Sequence, residues 1–81
     1  MRKLIAALKD LFAVEYPPKV AAVVVLREVG WLLRDAYTEA GIEIWLRSPN
    51  RNLGMRSPME LLDVGEYDRV LAEARRVGGE G

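Results

Sequence analysis

Apolar residues return along this chain at intervals of three and four. Leu4, Ile5, Leu8, Leu11 and Phe12 fall on one side of a helix, with Arg2, Lys3, Lys9 and Asp10 elsewhere. That helix is expected to end near Glu15. Tyr16-Pro17-Pro18 then stops it, because neither proline donates a backbone hydrogen bond and each pushes its predecessor out of helical geometry. From Lys19 to Tyr37 a second helical stripe follows, carried by Ala22, Val25, Leu26, Val29, Leu32, Leu33 and Ala36. Val20, Val24 and Trp31 form a further apolar strip on it, and Arg27, Glu28, Arg34 and Asp35 share the remaining arc. The valines would suit a strand, but the length of the segment and the grouping of its charges favour a helix. A helix apolar on two sides needs two surfaces to lie against. The C-terminal half supplies one, and the first helix or a neighbouring chain supplies the other.

Shorter pieces follow. Thr38 is placed to cap a helix reaching about Arg47, with Glu39 in its first turn and Ile42, Trp45 and Leu46 on the core-facing edge. Trp45 reads as a packing anchor. Ser48-Pro49-Asn50 ends this helix. Ser57-Pro58-Met59-Glu60 has the spacing of a capping box with proline at the first helical position, so a short helix carrying Leu61 and Leu62 starts there. Gly65 closes it. The last helix places Tyr67, Val70, Leu71 and Ala74 on one face, and Gly78-Gly79 ends it, with Glu80 and Gly81 expected to fray. The fold class is therefore all-α, a small bundle of about five helices. The two N-terminal helices are longer and apolar; the C-terminal three are short and joined by tight turns. Residues 1–37 form a helical pair for packing or dimerisation and 38–81 a second region, within one compact domain overall.

Composition narrows the chemistry. At 81 residues, a single small core is all the chain builds, and small domains often need staples. The sequence has no cysteine and no histidine, so disulfides, thiolate nucleophiles, ordinary hydrolytic triads and the common zinc sites are excluded. Association is the remaining device, which points to a homo-oligomer or a bound partner. Twelve basic residues balance twelve acidic ones, so no overall field draws the molecule to nucleic acid or anionic lipid. The longest apolar run, Val20 to Leu26, is far short of the ~20 residues of a spanning helix. Lys9 and Asp10 interrupt any secretory signal, and a cytoplasmic location is expected. Asp63, Glu66 and Asp68 flank a turn and a helix start, where acids satisfy free amides; catalysis, cofactor and metal are not expected. Gly78-Gly79-Glu80-Gly81 follows a helix and so cannot cradle phosphate. Arg47, Arg51 and Arg56 cluster across an acid-free stretch from Ile44 to Ser57. They are either a solvated loop or an anchor for an acidic partner, and Arg69, Arg75 and Arg76 carry the same ambiguity.

One ordered set of residues goes further: Trp45, then Pro49-Asn50, Leu53, Pro58 with the paired Leu61 and Leu62, and Gly65-Glu66 leading into Tyr67-Asp68-Arg69-Val70-Leu71. This order resembles the toxin-binding domain of the Xre/MbcA/ParS bacterial antitoxins and looks closest to the MbcA branch, over roughly the second half of the chain. Trp45, Pro49, Leu53, Ser57, Pro58, Glu60 and Gly65 form the structural motif. The resemblance implies a binding protein, not an enzyme, that neutralises a cognate RES-domain, NAD-consuming toxin by masking its active-site entrance. The toxin-binding residues expected on that basis are Arg47, Asn50, Arg51 and Arg56 in the turns, and Tyr67, Arg69, Arg75 and Arg76 on the last helix. Antitoxins of this kind commonly carry a helix-turn-helix ahead of this domain. Only two apolar helices precede Thr38 here, so direct DNA binding is not expected. The alternatives are a self-associating scaffold module, using Val20, Val24 and Trp31, and a transcriptional regulator acting through a partner.

Overall fold

The computed structural model describes residues 18–79. The helix expected over Leu4 to Phe12, the turn at Tyr16-Pro17 and the fraying of Glu80-Gly81 lie outside them. The described residues form four α-helices and one 3-10 turn. These are α1 (Pro18–Leu33), α2 (Glu39–Arg47), the 3-10 turn Arg51–Leu53, α3 (Pro58–Asp63) and α4 (Tyr67–Val77). Their only strand-like feature is an isolated bridge between Asn50 and Arg56. No helix among them is long and apolar enough to cross a membrane.

Helix α1 starts on Pro18, where a missing N–H costs nothing because the first-turn amides have no intrahelical partner. Its buried stripe is Ala21, Val25, Val29, Leu32 and Leu33; Val25, Val29, Leu32 and Leu33 are as the apolar period requires, whereas Ala21 takes the place of Ala22, and Ala22 and Leu26 are half-buried. The helix stops four residues before the Tyr37 expected from sequence, and Ala36 is exposed outside it instead of continuing the apolar stripe. The cause is local hydrogen bonding. The Leu33 carbonyl accepts from both the Ala36 and Tyr37 amides, closing the chain into a turn. Arg34 folds back so that its guanidinium donates to the Trp31 carbonyl and lies over the Trp31 ring, 3.6 Å from its centre. Thr38 is thereby left extended, with ψ 169°, and its hydroxyl accepts from the Gly41 amide as the cap of α2.

Ser48 ends α2 in extended geometry, its hydroxyl donating to the Ile44 carbonyl. Ile42, Trp45 and Leu46 pack against the core from its rim, so Trp45 anchors a half-buried edge and no residue of α2 is fully buried. The capping box opens α3 as expected. The Glu60 amide donates to the Ser57 hydroxyl and the Ser57 amide to the Glu60 carboxylate, each over 3.1 Å. Its hydrogen bonds with Ser57 hold the Glu60 carboxyl below its usual range. Gly65, at φ +80°, turns the chain out of α3, and the Glu66 amide reaches back to the Leu61 carbonyl.

The core is a contact between the first and last described helices. Val25, Val29, Leu32 and Leu33 of α1 meet Val70, Leu71 and Ala74 of α4, and Leu53, Leu61 and Leu62 fill the sides. Fully burying a leucine or valine contributes about 1.5–3 kcal/mol. Leu33, Leu61, Val25, Val29 and Val70 are all completely enclosed. Two glycines report on the packing in opposite ways. A Cβ at Gly78, just past α4, would sit 2.3 Å from the Leu32 carbonyl oxygen, so only glycine lets the end of α4 close on the end of α1. A Cβ at Gly30, inside α1, would meet nothing within 4 Å. Gly78→Ala should therefore destabilise the fold by about 1–3 kcal/mol through overpacking against backbone. Gly30→Ala should stabilise it by up to ~1 kcal/mol through helix propensity. Chemical denaturation of the two variants measures both signs.

Candidate partner-binding surface

Between α2 and α3 the chain makes a rigid projection organised by Asn50. The Asn50 side-chain oxygen accepts from the Asn52 amide at 2.9 Å, and its carbonyl accepts from Leu53 and Met55 at 3.0 and 2.9 Å. The Asn50 amide donates to the Arg56 carbonyl at 3.0 Å, closing the base of the projection. Two successive residues, Gly54 and Met55, lie in the left-handed region at φ 67° and 65°. Glycine does this freely, whereas methionine in that conformation costs roughly 1–2 kcal/mol. The arrangement drives Leu53 into the core and leaves Met55 63% exposed, with Arg51 and Arg56 exposed on either side.

A carboxylate fastens this projection to α4. Glu73 is only 6% exposed although it is charged. Its oxygens accept from Arg76 at 2.9 and 2.8 Å and from the Asn52 side-chain amide at 3.3 and 3.1 Å. Arg76, followed by the Asn52 and Asn50 amides, holds the Glu73 carboxyl below its ordinary range against the opposing effect of burial. The same pair raises the Arg76 guanidinium. Beside the clasp lies an open depression of about 290 Å³ lined by Asn52, Leu53, Arg69, Ala72, Glu73 and Arg76. Its one carboxylate, Glu73, is already taken up by hydrogen bonds from Arg76 and Asn52. Among the described residues no cluster of three or more potential metal ligands exists.

The residues expected from sequence to bind a partner separate into distinct roles. Arg51 and Arg56 are exposed on the projection and form no ion pair among the described residues, Arg56 acting only through its field on Glu60. Asn50 is half-buried, with its oxygen committed to holding the turn. Arg47 lies on the exposed side of α2, 3.6 Å from Glu43. On α4, Arg69 and Arg76 line the same depression, Arg69 bridging to Glu66 at 2.9 Å. Arg75 is half-buried and points about 100° away from Arg76 around the helix, so the two do not form one patch. Tyr67 is half-buried and packs against the core.

Sequence reasoning missed Asn52, the burial of Glu73 and the projection of Met55. Glu73 and Arg76 stand three apart between the apolar positions Val70, Ala74 and Val77, which marks a helix edge next to the core; nothing local identified Asn52 as the partner across it. For Met55, the Gly54 before it was the available signal of a left-handed turn.

The chain matches the family model described as the antitoxin Xre/MbcA/ParS C-terminal toxin-binding domain, over residues 26–76. That span takes in the second half of α1, all of α2, the projection and α3, and nearly all of α4. The chain belongs to this family. No curated protein and no solved structure matches it.

The clasp makes stability depend on acid in a defined direction. A carboxyl held below its unfolded value stabilises the fold above that value, 4.5, and the contribution is lost as pH falls through the lowered folded value. Glu73→Gln should cost ~1–2 kcal/mol at neutral pH, less than a fully enclosed charged bond because Arg76 is half in solvent. The difference between Glu73→Gln and wild type should narrow as pH drops below 4.5. Thermal melts across that range measure it, and a gap independent of pH would refute the role of the charge.

Proposed function

We propose that this domain is an antitoxin that binds a RES-domain, NAD-consuming toxin and covers its active-site entrance. Membership in a toxin-binding family, with the match spanning residues 26–76, is the observation that carries this reading. The surface chemistry supports it. Inhibition by occlusion needs no reactive group, only a shape that holds its form on binding, and the projection between α2 and α3 is fixed at its base by Asn50 and at its side by Glu73.

On this reading, Arg51 and Arg56 are the principal anchors. They are exposed and form no ion pair among the described residues, Arg56 exerting only a weaker field on Glu60, so they stay available to a partner carboxylate; Arg69 and Arg76 already share their charge with Glu66 and Glu73. Arginine also gives forked hydrogen bonding and is over-represented among residues that dominate interface energies. Met55 between them supplies an apolar contact already held in its bound position, which lowers the ordering cost of association. Arg47, exposed on α2, and Arg75, half-buried on α4, are secondary contacts on this reading. Tyr67 and Asn50 act through the shape they maintain.

Co-production with the product of the adjacent reading frame, which this reading expects to be RES-like, tests it directly. The expected result is a stable complex in which NAD consumption is abolished; a complex that retains full activity would overturn it. Within that complex, replacing Arg51 and Arg56 together by alanine should weaken binding about 10- to 100-fold, with more of the loss at low salt. Circular dichroism should remain that of the wild type, since neither side chain contributes to the core.

A further inference from the structure

The depression between the projection and the flank of α4 has a one-sided chemistry. Asn52 and Leu53 form one wall, and Arg69, Ala72, Glu73 and Arg76 form the other, around the open volume of about 290 Å³. The negative charge in this lining is used up. Glu73 has a side chain only 6% exposed, and each of its oxygens accepts from both Arg76 and Asn52. The positive charge is not. Arg69 and Arg76 keep 47% and 59% of their side chains in solvent. Each guanidinium also has N–H donors to spare, since Arg69 uses Nη1 on Glu66 and Arg76 uses Nε and Nη2 on Glu73. Ala72 stands between the two arginines, three residues after one and four before the other, so both lie beside it on the helix surface. It is exposed, and its single methyl leaves a notch there.

We propose that this notch receives an acidic side chain of the bound partner protein, its stem against Ala72 and Leu53 and its carboxylate between Arg69 and Arg76. The inference rests on the partner-binding reading for who supplies the side chain; the chemistry rests on the groove alone. Charge is the first support. Two half-exposed guanidinium groups face one buried, saturated carboxylate, and forked guanidinium donors suit a carboxylate better than any other side chain. Size is the second. The depression is too small and too open to enclose most of a cofactor-sized molecule, whereas one side chain entering from a neighbouring surface fits it. The third is rigidity. The bonds between Asn52 and Glu73 tie the two walls together before any partner arrives, so little ordering is left to do on binding.

Ala72 gives the test, because replacing Arg76 would also release Glu73. In Ala72→Glu the new carboxylate reaches Arg69 and Arg76 from within the same helix and fills the notch; Ala72→Gln fills it without charge. In the full chain, with the product of the adjacent reading frame as partner, Ala72→Glu should weaken binding roughly tenfold or more and Ala72→Gln about threefold or less. Circular dichroism should stay that of the wild type, since Ala72 is exposed. Wild-type affinity in Ala72→Glu, or an equal loss in both variants, would overturn the proposal. A second measurement needs no partner. Titrating the chain with a short polyglutamate peptide should move the Arg69 and Arg76 Nε–H resonances and the Ala72 methyl together, and Ala72→Glu should abolish the response. Silence at these three groups would overturn the proposal by itself, whereas failure of the wild-type chain to bind the neighbouring gene product counts only against the functional reading.

Discussion

The contact between α1 and α4 sets the shape of everything between them. Val25, Val29, Leu32 and Leu33 meet Val70, Leu71 and Ala74, and the closeness of the two helix ends is fixed by Gly78, whose missing side chain admits the Leu32 carbonyl. α2 and α3 are too short to hold themselves. Helices of nine and six residues are marginal in water, and both persist through capping and through what they place against the α1–α4 pair. Met59 and the enclosed Leu61 of α3 and the rim residues Ile42, Trp45 and Leu46 of α2 are arranged around that pair.

Given this frame, the surface assigned to partner binding is a consequence of how the chain crosses from α2 to α3. Leu53 is drawn inward, so the residues around it must turn outward within very few bonds. Asn50 makes this possible by accepting from three amides and donating one of its own. Aspartate there would accept equally well but would place a second negative charge near Glu73. Glu73 in turn converts a helix-edge position into a strap between the projection and α4, using charge-assisted hydrogen bonds that are stronger than neutral ones. The same arginine thus lines the surface and steadies it, so Arg76 is a poorer probe of recognition than Arg51 or Arg56.

Legibility in the sequence followed the range of the interaction. The Thr38 cap, the Ser57–Glu60 box, the glycine exits at Gly65 and Gly78 and the apolar faces of α1 and α4 are all encoded within four residues or so, and each could be read directly. The end of α1 could not. Its apolar period runs on through Ala36, but the Leu33 carbonyl is taken by two turn amides and Arg34 folds over Trp31, a choice between local hydrogen bonds that periodicity does not register. The clasp was hidden for the opposite reason. Asn52 and Glu73 are 21 positions apart, and only the folded chain shows why a charged residue is buried there. The arginines were recognisable as a group, but their division into paired and unpaired members depends on which acid lies within reach.

Because the principal packing joins the beginning of the described chain to its end, the domain is completed late during synthesis. While α1, α2 and α3 have emerged from the ribosome and α4 has not, Val25, Val29 and Leu33 have lost their main apolar covering. The nascent chain passes through a stage in which it is adhesive and open to proteases. Loss of the last dozen residues would return a finished molecule to that same stage.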